Sequence, residues 1–303
     1  MPNGLTDQQI QKFHDDGFLL VRDCLPKASI QPLIDELNQQ VDDLTNQAID
    51  KGILDPKDRH ADAPFETRLH LVCNAATDRN WIWREIQSGK RKSPGMFALR
   101  SASALLDIVE SLIGPEILAH PQFALRAKMP AHEETVVPWH QDLGYLTPEE
   151  AGETLVANCW VPLVPATAEN GCMEVLAGSH KGGYLPHQQL IQMEGHTARI
   201  GIAEEDLPAG EAILCEMDVG DVLLTMERVA HRSIPNTSQT VRWSVDTRYN
   251  QIGLPTGREN VPGFIARSAN DPAHVTQSCD EWIQLFLDKG LNPTERKEAY
   301  ANR

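Results

Sequence analysis

Apolar residues follow two rhythms along this chain. Over the first third they recur at helical spacing, and beyond residue 115 they fall into short runs between turn signals. The segment LTDQQIQKFHDDGFLLVRDCL (5–25) places Thr6 three residues before Gln9, a capping-box spacing. It then sets Ile10 and Phe13 on a helix that Gly17 stops, after which FLLV begins a strand. SIQPLIDELNQQVDDLTNQAI (29–49), DRNWIWREIQ (78–87) and SASALLDIVESLIG (101–114) predict further helices, the last closed by Gly114 and Pro115. DPKDRHADAP (55–64) reads as a loop.

Strand-length runs then follow one another: QFALRAKMP, ETVVPWHQD, TLVANCWVPLV, GCMEVLAG, AILCEM, DVLLTM and TVRWSVDTRY. Seven or eight short strands without long intervening helices suit an antiparallel sandwich or barrel, and a jelly roll has this number. DEWIQLFLDKG and NPTERKEAYANR return to helix. No internal repeat or low-complexity linker divides the chain. The expectation is one domain, mainly β with flanking helices, over 1–303: a mostly helical part (1–115), a jelly-roll core (116–250) and a C-terminal helical extension (251–303).

Composition narrows the function classes. With 41% hydrophobic residues in 303, the chain can bury a substantial core. A net charge of −16 argues against nucleic acid as a partner, and the one basic cluster is GKRK (89–92). No apolar run is long enough to span a membrane, and MPNGLTDQQI lacks the regions of a signal peptide, so a cytoplasmic location is expected. The six cysteines contain no C-x-x-C pair and suit reduced core thiols rather than a disulfide scaffold or structural zinc.

The candidate chemistry lies in PWHQDLGYLT (138–147). Residues two apart on a strand share a face, so His140 and Asp142 could offer an imidazole and a carboxylate to one ion. The His-x-Asp pattern recurs at His14/Asp16, at a helix end, and at His60/Asp62, in a loop, so it is weak alone. Two His plus one carboxylate on an octahedral ion leave three positions open, the arrangement associated with non-haem Fe(II). Among the downstream histidines 180, 187, 196, 231 and 274, His231 has the best support, because it follows the turn Gly220-Asp221 and the buried strand VLLTM. In TVRWSVDTRY the polar positions Arg242, Ser244, Asp246 and Arg248 alternate with apolar ones. That polar face is either solvent or a polar cavity. An inward Arg would need a carboxylate partner, and a dicarboxylic cosubstrate could provide it, with Ser233 donating a further hydrogen bond.

Taken together, F-x-x-DGF (13–18), WHQDLGY, CWVPLVPATAENGCMEVLAGSHKG (159–182) and H-R-S followed by Arg242 resemble the phytanoyl-CoA dioxygenase family of Fe(II)- and 2-oxoglutarate-dependent oxygenases. The resemblance covers most of the chain and implies a double-stranded β-helix (jelly-roll, cupin-like) core. In that family an arginine that binds the far carboxylate of 2-oxoglutarate follows the distal iron histidine by eleven residues, the separation of His231 and Arg242 here. By this resemblance His140, Asp142 and His231 are iron ligands and catalytic, and Arg242 with Ser233 grips the cosubstrate. Gln141, Trp160 and Lys128 occupy cosubstrate-side positions, although Trp160 also suits a core aromatic and Lys128 a snorkelling strand end. Asn170-Gly171 and Gly178-Ser179-His180 match family turns, with His180 a further residue that could touch the site.

The implied activity consumes dioxygen and 2-oxoglutarate, releases succinate and carbon dioxide, and hydroxylates an unactivated C–H bond of a small-molecule metabolite. Related halogenases carry a small residue in place of the carboxylate ligand, so Asp142 favours hydroxylation. The prime substrate is not specified. The stretch 55–70, Leu143 and Tyr145 are candidate lining, and GKRK is the only basic patch that could meet the phosphates of a CoA ester. The C-terminal ANR is not a peroxisomal tripeptide. A zinc-dependent hydrolase or isomerase could use the same three ligands but would leave Arg242 unexplained, and a non-catalytic binding module would need no triad.

Overall fold

Thr6 and Gln9 form the capping box their spacing predicts. The Thr6 hydroxyl accepts from the Gln9 N–H at 3.3 Å and the Gln9 side chain accepts from the Thr6 N–H at 2.9 Å. Helix α1 (Asp7–Asp16) then ends on Gly17, in the left-handed region at φ 81°, which turns the chain into strand β1 (Phe18–Val21). The computed structural model describes residues 4–87, 92–132, 135–145, 155–191, 199–258 and 260–293.

Helices α2 (Lys27–Asp50), α3 (Phe65–Ala75), α4 (Trp81–Gln87), α5 (Pro94–Arg100) and α6 (Ser103–Ile113) complete the N-terminal layer. Two of these, α3 and α5, carry little sequence signal. α3 opens after Pro64 without a side-chain cap, inside the polar stretch 55–70, and α5 is only seven residues long. The strands that follow are β2 (Ile117–Lys128), β3 (Val137–His140), β4 (Ala157–Pro162), β5 (Met173–Leu176), β6 (Gln188–Ile191), β7 (Arg199–Gly201), β8 (Ala212–Cys215), β9 (Val222–Met226), β10 (His231–Ser233), β11 (Arg242–Gln251) and β12 (Phe264–Arg267), before helix α7 (Cys279–Asp288). β6, β7 and β12 were not foreseen: β6 and β7 pair only with each other, and all three are four residues or fewer, too short to show a period. Most of the expected terminal helix (292–303) and residues 89–91 of the basic cluster lie outside the described residues.

The strands form a six-stranded sheet in the order β1-β9-β4-β11-β2-β12 and a four-stranded sheet in the order β3-β10-β5-β8, with every named pairing antiparallel. From β2 to β5 and again from β8 to β11, successive strands change sheet, apart from the β5–β8 hairpin. This is the jelly-roll path. β1 from the helical third and β12 from the C-terminal extension both join the larger sheet, so all three chain segments contribute to it.

β11 shows why the two faces of that sheet differ. Trp243, Val245 and Tyr249 face the helices and belong to the main apolar core, where Trp243 stacks on Phe65 of α3 with ring centroids 5.0 Å apart. The alternate set Arg242, Ser244, Asp246 and Arg248 faces the second sheet, so the polar stripe lines the inside of the sandwich, not bulk solvent. Five of the six cysteines are buried and all are free, as expected of core thiols.

The end of α1 is locked to the turn after β5. Gly178 N–H donates to Asp16 O at 2.8 Å, His180 Nε2–H to His14 O at 3.0 Å, and Met226 N–H to Gly17 O at 2.9 Å. Gly17 is needed twice over, because a Cβ there would collide with the His180 ring and would sit on a left-handed backbone. The His14 and Asp16 carbonyls and the His180 ring thus join α1 to the barrel. Gly17→Ala should cost about 1–3 kcal/mol in urea or thermal unfolding. Combining it with His180→Ala should cost less than the sum of the two single changes, because the collision is removed while the backbone strain remains.

Candidate active site

Antiparallel pairing of β3 with β10 sets His231 directly opposite His140, and their imidazole centroids lie 4.2 Å apart. Asp142 begins the 3₁₀ turn Asp142–Tyr145, two residues beyond His140. One ligand atom from each of the three lies within 4.8 Å of the others, and all three residues are buried. Among the described residues no other group of His, Cys, Asp and Glu converges in this way. Of the remaining candidates, His187 holds a turn described below, His274 is an exposed partner of Asp271, and His196 lies outside the described residues.

The histidines are preset as ligands. His140 Nδ1–H donates to Pro138 O at 2.9 Å and His231 Nδ1–H to Val229 O at 3.0 Å, so in each ring Nε2 carries the lone pair. Burial, then the neighbouring His231, pushes the His140 pKa down to about 3, so no proton competes for it near neutrality. For Asp142 burial opposes ionisation. The Arg248 guanidinium outweighs it and holds the carboxyl below its ordinary range. Asp142 Oδ1 accepts from Arg248 Nη2–H at 2.5 Å, while Oδ2 is buried without a hydrogen-bond partner. Oδ1 is also the oxygen recorded nearest His140 Nε2, at 3.9 Å. Two imidazole Nε2 atoms and a buried carboxylate with one oxygen unpartnered form a donor set that suits a divalent transition metal.

A second polar group spans the two sheets away from the triad. Arg242 and Lys128 are register partners on β11 and β2, so two cations stand side by side, 3% and 2% exposed. Like charges directly opposite on neighbouring strands repel, and this pair is desolvated as well. Ser233, from the opposing sheet, accepts at Oγ from both Arg242 Nη2–H and Lys128 Nζ, each at 2.9 Å. Arg242 also donates to Gly171 O at 3.2 Å and Ser244 Oγ at 2.5 Å. None of its hydrogen bonds among the described residues reaches a carboxylate. Asp246 acts on it only at range, being paired with Arg126 at 3.0 Å. Burial lowers the Arg242 pKa to about 10, which still leaves it charged at neutral pH. Arg126 projects from the inward face of β2 yet is half-exposed, so the space between the sheets opens to solvent there.

Lys128 does not snorkel. It is fully enclosed, with Nζ donating to Thr135 O at 3.0 Å and to both oxygens of Ser233. Its stem crosses Gly171, where φ is 87° and a Cβ would meet Ile234 O at 2.7 Å as well as the lysine chain. Trp160 is a buried core aromatic, and its ring centroid lies 5.0 Å from the Arg242 guanidinium.

Gln141 departs from the cosubstrate-side position expected of it. Its Nε2–H donates to Gly183 O at 2.8 Å and Arg228 O at 2.5 Å, and its Oε1 accepts from Leu185 N–H at 2.8 Å. Its own N–H donates to His187 Nε2 at 3.0 Å, while His187 Nδ1–H donates to Leu185 O at 2.8 Å. This amide ties the ligand-bearing turn to the 183–187 loop. Sequence reading missed His187 in this role and missed Arg248, although the alternation of β11 had placed Arg248 on the Arg242 face.

The fold and this site define a jelly-roll protein with a buried His-Asp-His cluster that could hold a metal ion and a pair of buried cations within the same sandwich. The chain belongs to the phytanoyl-CoA dioxygenase (PhyH) family, whose profile matches residues 13–244. It is 33% identical over 153 residues to 1-deoxypentalenic acid 11-beta-hydroxylase of Streptomyces exfoliatus, covering 47% of this chain and 52% of that one. The chain therefore spans about half the length of that curated relative. It is 24% identical over 253 residues to human peroxisomal phytanoyl-CoA dioxygenase, covering 82% of this chain and 69% of the human protein. The fold is similar to that of apo ThoJ, a non-heme monooxygenase (TM-score 0.53, 23% identity, 93% of each chain). It is also similar to EctD from S. alaskensis, solved with 2-oxoglutarate and 5-hydroxyectoine (TM-score 0.52, 16% identity, 91% of this chain and 86% of that one).

His187 yields a pH prediction. Burial lowers its pKa from the ordinary 6.5, and it is neutral where it holds Gln141. Below that ordinary value the unfolded chain binds a proton that the folded chain resists, so the contribution of His187 is complete above it and drains away as pH falls. The melting temperature should drop between pH 7 and pH 5. In His187→Phe it should start lower at pH 7 and fall less steeply.

Proposed function

We propose that this chain is an Fe(II)- and 2-oxoglutarate-dependent dioxygenase that hydroxylates an unactivated C–H bond of a small-molecule metabolite, in one oxygenase domain spanning 1–303. The observation that carries the reading is the buried Arg242–Lys128 pair within the same sandwich as the His140–Asp142–His231 triad. Arg242 is a desolvated cation whose hydrogen bonds among the described residues reach no carboxylate, and the far carboxylate of a dicarboxylic cosubstrate would relieve the cost of burying it. A zinc hydrolase or a binding module on the same core gives the pair nothing to meet.

In this reading His140, Asp142 and His231 would hold the metal, the histidines through the Nε2 atoms that their backbone hydrogen bonds leave free of a proton. Arg242, Ser233 and Lys128 receive the distal carboxylate of 2-oxoglutarate, with Trp160 fixing the plane of the guanidinium. Gln141 acts indirectly, by holding the turn that carries Asp142. When bound, iron supplies the redox chemistry that couples decarboxylation of 2-oxoglutarate by dioxygen to oxidation of a C–H bond, giving succinate, carbon dioxide and an alcohol. The protein's task is then to orient the two substrates and keep the charges dry.

The named activity of the Streptomyces relative, 11-beta-hydroxylation of 1-deoxypentalenic acid, supports a small-molecule substrate. Of the basic cluster only Lys92 is described, and it lies over the Phe286 ring and donates to Pro293 O at 2.5 Å, which gives no support to a CoA phosphate site there. No helix among the described residues is long and apolar enough to cross a membrane. The six free cysteines support a reducing, cytoplasmic compartment.

Anaerobic addition of Fe(II) and then 2-oxoglutarate should produce the weak visible charge-transfer band of the chelate, and His231→Ala and Asp142→Ala should abolish it. Arg242→Ala should still bind metal but require roughly 30-fold to several-thousand-fold more 2-oxoglutarate, the equivalent of removing one partner of a buried charged contact at about 2–5 kcal/mol. An unchanged 2-oxoglutarate requirement in Arg242→Ala would refute the cosubstrate assignment.

A further inference from the structure

Arg248 stands three alternations along β11 from Arg242, on the same inward face. It reaches across the sandwich to the other sheet's metal-ligand turn, where its Nη2–H donates to Asp142 Oδ1 at 2.5 Å with both side chains buried. The contact divides the carboxylate into two unlike oxygens. Oδ1, 3.9 Å from His140 Nε2 and so near enough to the cluster to be a second donor, is held by a guanidinium, and Oδ2 has no hydrogen-bond partner. A charge-assisted bond of this kind is about twice as strong as a neutral one, and neither residue has solvent to compete for it.

We infer that Arg248 is a positioning residue that restricts Asp142 to a single donor oxygen, and so preserves the number of open coordination positions at the metal. The inference rests on the triad binding a metal as proposed above. A carboxylate can ligate a cation through one oxygen or through both. Two imidazoles and one carboxylate oxygen leave three positions of an octahedron, of which 2-oxoglutarate takes two and dioxygen needs the third. A carboxylate using both oxygens leaves two, and the position for dioxygen is lost. Arg248 prevents this by occupying Oδ1. Its charge also compensates that of a carboxylate which would otherwise be buried alone in the metal-free protein.

The test compares crystal structures of the Co(II)-loaded wild type, Arg248→Met and Arg248→Lys, together with anaerobic nitric oxide titration of their Fe(II)–2-oxoglutarate complexes followed by electron paramagnetic resonance. Wild type should show Asp142 on cobalt through Oδ2 alone with Oδ1 still on Arg248. Arg248→Met should show both oxygens on the metal and bind nitric oxide at least about 10-fold more weakly, with Arg248→Lys between them. A role confined to fold stability would change the melting temperature but not the binding mode of Asp142. Should Arg248→Met fail to fold, wild type and Arg248→Lys still decide the matter. Two-oxygen ligation with Arg248 displaced in the wild type, or one-oxygen ligation and unaltered nitric oxide affinity in Arg248→Met, overturns this inference and leaves the proposed function standing. Absence of metal from the triad in the wild type overturns both.

Discussion

Everything at this site depends on one register, the pairing of His231 on β10 with His140 on β3. Antiparallel neighbours at directly opposed positions bring their side chains to ligand distance without any loop having to be ordered for the purpose. The ladder shifts immediately afterwards, so that Ser233 lies opposite Val137, and Ser233 then reaches Arg242 and Lys128 in the other sheet. A one-residue slip of β10 would turn both His231 and Ser233 away from their partners. The register is held from its other side by β5, where His231 pairs with Val175 in the buried interior of the sandwich.

Among the described residues, the polar contacts that join the sheets include Ser233 with Arg242 and Lys128 near one end of β11, and Asp142 with Arg248 farther along. Charges enclosed in this way are poor sources of folding free energy. Stability comes from the opposite face of the larger sheet, where Trp243, Val245 and Tyr249 pack into the helical layer. Arg100 of α5 lies there among Phe123, Phe264 and Trp282, and donates to Thr247 and to His120 O. The molecule thus separates its tasks by face: the outward side of the sheet supports, and the inward side carries chemistry at a cost in stability.

Much of this was legible in sequence because it follows short periods. The capping box at Thr6 and Gln9, the alternation in TVRWSVDTRY and the His-x-Asp at a strand end each specify geometry over a few residues. Asp142–Arg248 and Gln141–His187 are invisible at that range, because they join residues 106 and 46 positions apart whose meeting depends on which strands become neighbours. Lys128 left two readings open in sequence, cosubstrate-side or snorkelling, for a related reason. A lysine at the end of a strand normally reaches water, and only the opposing sheet, contributing Ser233 and Gly171, encloses it. Gln141 was assigned by its place in a motif, whereas its hydrogen bonds show an architectural duty.

The Gln141 web has a consequence for how this scaffold can diversify. Because one amide gathers Gly183, Leu185 and Arg228, and the next peptide group along the web rests on His187, the 183–187 loop cannot drift in sequence or length without disturbing the turn that carries Asp142. Most of those contacts are to backbone atoms, so the side chain at 185 can vary while the loop's path cannot, and position 183 is held to glycine by its φ of 77°. Selection for a new substrate on this framework must therefore work mainly by exchanging side chains on a fixed rail here, and leave insertions and deletions to segments that are not moored to Gln141.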